Sequence, residues 1–77
     1  GEVHDGRVYG RGAGDDKASV TAQTMAAIAL ARSGVAFDGA LIVTEVADEE
    51  VGGAAGAGYI VEHGHVEADF VIVGEQT

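Results

Sequence analysis

Two near-continuous apolar runs, ALIVTEVA at 40–47 and FVIV at 70–73, flank a stretch of helical length in this chain. Runs with so little polar alternation belong to strands covered on both faces, as in parallel sheets. Between them, Ala54 to His63 reads as a helix closed by Gly64. The pattern predicts a βαβ unit: parallel strands near 40–47 and 69–74, a helix near 53–63, and a right-handed crossover. The expected fold class is α/β.

The residues ahead of the first run extend this layering. Arg7–Tyr9 is a short β-prone stretch leading into Gly10-Arg11-Gly12-Ala13-Gly14, where three glycines in five positions permit backbone angles that other residues avoid. Lys17 to Ser33 is Ala-rich, free of Gly and Pro, preceded by Asp15-Asp16 and followed by Gly34. Asp before and Gly after are helix punctuation, so a helix is expected over 16–33. Val20, Thr24, Ala27 or Ile28, and Ala31 share one stripe, and the surrounding alanines allow close approach to a sheet.

At 77 residues the chain holds one domain at most, and with no cysteine it has no disulfide to support a small core. Its 13 Asp and Glu against 4 Lys and Arg give a net charge of -9. Such a surface repels phosphate backbones and anionic lipids, which argues against nucleic-acid and membrane partners and favours metal cations. No apolar run approaches the roughly 20 residues needed to span a bilayer, and no signal-like segment opens the chain, so a cytoplasmic location is the default expectation. Gly1 is not an initiator residue, and Gly74-Glu75-Gln76-Thr77 follows directly on an apolar run. The chain is therefore expected to be an excerpt of a longer protein.

In open parallel sheets, ligands bind beyond the carboxyl ends of the strands. Asp48, Glu49 and Glu50 follow the first run, Glu75 follows the second, and Asp15 stands where the glycine turn enters a helix. Five acids from three distant segments are thus expected on one edge. Carboxylates held close together repel unless a cation neutralises them, and oxygen donors in this number suit a divalent ion or an ion pair. Taken singly, each has a structural reading: Asp15 as a helix N-cap, Glu49 and Glu50 as solvated first-turn acids, Glu75 as a residue of no special role. Convergence is what singles them out.

Other motifs fail or are explained structurally. The glycine turn does not meet GxGxxG, because the sixth position from Gly10 is Asp15 and from Gly12 is Lys17. Walker A and GxSxG are missing as well. His63-Gly64-His65 lies at a helix C-terminus, where imidazole caps carbonyls. His4 is expected to be exposed, and Arg11 to be either solvated or paired with the acidic edge.

Taken together, Gly10-Arg11-Gly12-Ala13-Gly14-Asp15-Asp16-Lys17, then Asp48-Glu49-Glu50 with Gly52-Gly53, then Val73-Gly74-Glu75-Gln76-Thr77 resembles the family of acetylornithine deacetylase, succinyl-diaminopimelate desuccinylase, aminoacylase and glutamate carboxypeptidase. The resemblance runs through essentially the whole chain, in order and in register. It implies that residues 1–77 are part of a metallohydrolase catalytic domain, truncated at both ends, with a phosphorylase/hydrolase-like three-layer α/β/α fold. The implied cofactor is a pair of divalent ions, zinc first, with cobalt or manganese as substitutes. In that scheme Asp15 bridges both ions, Glu50 is a ligand of one, Glu75 is a ligand of the other, and Glu49 is the general base. The resemblance also implies a cis peptide between Asp15 and Asp16.

The implied reaction is amide hydrolysis of an N-acyl amino acid or short peptide by a parent enzyme that forms a homodimer. The Gly-Glu-x-Thr ending favours the deacetylase or desuccinylase branch, whereas Asp16 stands where the deacetylases often carry Met and the dipeptidases Asp. Ala18-Ser19 replaces a common Gly-Gly, and Gln76 a common Pro. Both histidine ligands of the family lie outside this segment, so the isolated piece is expected to be catalytically inactive. Two competing classes stand beside this one: a non-catalytic acidic metal-binding or assembly module of the same fold, and a phosphate-binding α/β protein relying on Arg11 and Lys17.

Overall fold

In the computed structural model, which describes residues 1–75, the chain opens on a hairpin. Strand β1 (Glu2–His4) pairs antiparallel with β2 (Arg7–Tyr9), in the register Glu2↔Tyr9, Val3↔Val8, His4↔Arg7. The two-residue loop is Asp5-Gly6, with φ of 49° and 72°. Positive φ at both positions matches the twist of the flanking strands, which is why Asp-Gly serves here. Arg7–Tyr9 is thus extended as expected, with a partner strand that the apolar pattern did not disclose.

Helix α1 spans Lys17–Ser33, as the punctuation predicts. Asp16 is its N-cap and accepts a hydrogen bond from the Ser19 N–H at 3.3 Å, while Gly34 closes it at φ 74°. The half-buried positions are Ser19, Gln23, Thr24, Ala27, Ile28 and Leu30, a helical stripe that includes three of the expected residues; Val20 and Ala31 lie outside it, exposed. Replacing the cap should have a measurable cost. Asp16→Ala is expected to destabilise the folded full-length chain by about 1 kcal/mol, read from the shift in a urea unfolding midpoint at unchanged slope.

The second half departs from expectation. Segments 40–46 and 70–75 are not paired into a ladder, and the two-stranded sheet of the hairpin is the one sheet among the described residues. The expected parallel βαβ pair is therefore not formed. The two segments, together with Gln23, Ala26, Ala27 and Leu30 of α1, line an open trough of about 830 Å³. Apolar strands of this kind need cover on both faces. Phe70 and Ile72 instead remain 93% and 87% exposed, and no hydrophobic side chain is buried among the described residues. The described residues hold mixed helix and a two-stranded sheet, in keeping with an α/β domain.

Between these segments the expected helix over 53–63 appears in pieces. Glu49–Val51 forms a 3-10 turn, Ala54–Gly58 a π-helical turn, and Tyr59–Glu62 a short helix, α2. The interruption falls at Gly56, whose φ and ψ are -106° and -107°. Gly56 is buried, and a methyl group there would be driven into the Ala47 carbonyl oxygen, so the turn can pack this closely on the end of the first segment only with glycine. His63 and His65 take the structural role expected of them. The His63 Nδ1 donates to the Tyr59 carbonyl at 2.9 Å, its ring stacks on Tyr59 at 4.0 Å, and the His65 N–H donates to the Ile60 carbonyl at 2.9 Å.

Candidate metal-binding acidic site

Asp15 and the Glu49–Glu50 pair stand on turns whose shape follows from their sequence, while Glu75 ends the second apolar segment. Asp15 ends the glycine turn, immediately ahead of the α1 cap, and its peptide bond to Asp16 is cis. Because Asp16 supplies the cap, Asp15 is released from the N-cap role that was its structural alternative. Two backbone bonds shape the turn: the Ala13 N–H donates to the Gly10 carbonyl at 3.1 Å and the Lys17 N–H to the Gly12 carbonyl at 2.9 Å.

Glu49 and Glu50 occupy the first two positions of the 3-10 turn that follows the first apolar segment, and both are exposed. With three residues per turn, neighbours diverge by about 120° around the axis, so adjacent carboxylates can serve different tasks. Asp48 holds this turn in place. At φ 76°, its carbonyl accepts from the Gly53 N–H at 2.8 Å and its Oδ2 from the Ala55 N–H at 2.8 Å. Asp48 is thereby committed to the loop, although the sequence placed it with the other acids on the edge. Its role could have been found from the positive φ that Asp tolerates better than most residues, and from the glycines at 52 and 53.

Glu75 is the last described residue, while Gln76 and Thr77 of the same motif lie outside the described residues. Its neighbour Gly74 packs directly on α1: a methyl group there would approach Ser19 Cβ and Gln23 Nε2 to 2.7 Å. That contact sets the end of the second segment against the first turns of the helix that Asp15 introduces. The first segment is tied to the same helix by Thr24, whose hydroxyl donates to Glu45 Oε1 at 2.7 Å. The acids of all three stretches thus stand beside α1 or at the ends of segments that contact it, and no sheet edge among the described residues gathers them.

Carboxylates are the hard oxygen donors that divalent ions favour, so the donor chemistry fits a metal. The arrangement does not close: among the described residues, no three Asp, Glu or His side chains are grouped so that they could hold an ion. The turn of Asp15 and the segment that ends at Glu75 both meet α1, but among the described residues Asp15, Glu50 and Glu75 are not grouped into one ligand set.

Comparison with known proteins adds what this geometry leaves open. Residues 1–77 match the family described as Peptidase family M20/M25/M40. The chain is 37% identical, over 79 aligned residues, to a succinyl-diaminopimelate desuccinylase of Rickettsia felis, covering 95% of this chain and 20% of that protein. It is 39% identical over 79 aligned residues to succinyl-diaminopimelate desuccinylase 2 of a Ruegeria species, covering 99% of this chain and again 20% of the relative. The chain thus spans about a fifth of the length of these curated relatives. No solved structure matches it. No helix among the described residues is long and apolar enough to cross a membrane.

Proposed function

Because this chain belongs to the Peptidase family M20/M25/M40, we propose that it is the metal-ligating part of a hydrolase that removes an acyl group from an N-acylated amino acid. The proposed substrate class is N-succinyl or N-acetyl amino acids, with desuccinylation favoured by the names of both relatives. The observation that carries the reading is a family match over residues 1–77, the stretch that holds Asp15, Glu49, Glu50 and Glu75.

The proposed ligands are Asp15, shared between two divalent ions, with Glu50 on one ion and Glu75 on the other. When bound, the ions would polarise the amide carbonyl and acidify a water. Glu49 would accept the proton of the attacking water and return it to the departing amine, which must leave protonated. The 3-10 turn supports this division of labour, since it separates the Glu49 and Glu50 side chains around its axis. Gly74 supports the placement of Glu75, because its contact with Ser19 leaves no room for a side chain between that segment and α1.

The test uses a full-length chain. Hydrolysis of N-succinyl and N-acetyl amino acids should be abolished by chelation and restored by zinc, cobalt or manganese. Hydrolysis undiminished by chelation would contradict metal dependence. Metal uptake without hydrolysis of either substrate class would decide for the non-catalytic module.

A further inference from the structure

The side chain of Lys17 folds back across the glycine turn, although the residue is exposed at the first position of α1. Its Nζ donates to the Arg11 carbonyl at 2.7 Å, and its backbone N–H donates to the Gly12 carbonyl at 2.9 Å. Between these bonds its alkyl chain passes over Gly12. A methyl group on Gly12 would meet Lys17 Cε at 3.4 Å, Lys17 Cδ at 3.5 Å and the Asp15 carbonyl oxygen at 3.2 Å. Gly12 itself sits at φ 70°, a conformation that glycine adopts without strain. One residue therefore grips two successive carbonyls on the entering side of the turn, and Asp15 lies within the loop that these bonds close.

We propose that Lys17 is a positioning residue: its ammonium clamps the 11–16 turn to the start of α1 and so fixes where the Asp15 carboxylate is presented. The clamp stands on the contacts above, and its consequence for metal binding rests on the role proposed for Asp15. An exposed ammonium acting only through its charge has the opposite signature. A cation beside a metal site repels the metal, so removing it should tighten metal binding. Loss of the clamp should weaken binding, because the bridging carboxylate is no longer held in place. The direction of the change therefore separates the two roles.

The experiment compares Lys17→Met and Lys17→Arg with the wild type in a full-length chain. Amide hydrogen exchange is measured on metal-free protein, and zinc affinity by competition with a chromophoric chelator. In Lys17→Met the amides of residues 13 and 17 should exchange about tenfold faster and zinc should bind about tenfold more weakly. Lys17→Arg, which keeps a charged donor, should stay within a factor of three of wild type on both readouts. Unchanged exchange at both amides in Lys17→Met overturns the clamp. Faster exchange with unchanged or tighter zinc binding overturns the positioning of Asp15. A wild type that takes up no zinc defeats the proposed function, while the exchange data still decide the clamp. If Lys17→Met does not fold, the same readouts and criteria apply to Lys17→Ala, which removes the donor and suits a helix position.

Discussion

Glu49→Gln in a full-length chain should lower kcat for N-succinyl amino acid hydrolysis by about 10² to 10⁴, leaving metal content and KM close to wild type. Gln preserves the shape of the side chain and removes only its capacity to take a proton. Glu49 lies exposed on the 3-10 turn, which is held by Asp48 through the N–H groups of Gly53 and Ala55. The effect should therefore appear in the chemical step, with the unfolding midpoint unmoved. Glu50→Gln provides the contrast, because loss of a ligand should reduce bound metal first and activity as a consequence. A Glu49→Gln enzyme within tenfold of wild-type kcat would remove Glu49 from the role of base.

Asp15→Asn should have the larger effect. A carboxylate shared between two ions contributes to both, and the amide that replaces it offers one weaker, uncharged donor oxygen. The ions are asked for several kcal/mol of transition-state stabilisation, so losing their bridge should reduce kcat/KM by about 10³ or more. Bound metal, measured by elemental analysis after dialysis, should fall from two ions per chain to fewer than one. Folding should survive, because the helix cap is Asp16 and not Asp15. Asp16→Ala separates the two neighbours: it should lose stability, whereas Asp15→Asn should lose metal. If Asp15→Asn retained two ions and near-normal turnover, Asp15 would be a turn residue only.

Local features were legible in the sequence and non-local ones were not. Helix α1 begins and ends where Asp16 and Gly34 predict, because capping is decided within a few residues of the terminus. The hairpin was equally local, yet it was missed. Its signal is the Asp5-Gly6 pair, and the strands on either side are too short and polar to register as apolar periodicity. The two apolar runs failed for a different reason. A parallel strand is stabilised by partners distant in sequence and by cover on both faces, and the apolar side chains of segments 40–46 and 70–75 stay largely exposed. The break at Gly56 depends on how closely the turn approaches Ala47, which no local pattern encodes.

The acidic site divides along the same line. That Asp15, Glu49 and Glu50 stand on turns was readable from the glycines and acids around them. Their assembly would follow from the carboxyl ends of two parallel strands; in place of that sheet, Gly74 and Thr24 tie the two segments to α1. Asp48 shows the limit of composition-based reading: an acid in an acidic run can be engaged by the backbone of its own loop.

The central claim is that these acids share a pair of metal ions, and X-ray absorption at the zinc edge of a zinc-loaded full-length chain tests it most directly. The account predicts two ions per chain, nitrogen and oxygen donors only, and a zinc–zinc separation of about 3.5 to 4 Å that disappears in Asp15→Asn. A single isolated ion, or a paired-zinc signal that persists unchanged in Asp15→Asn, would contradict it.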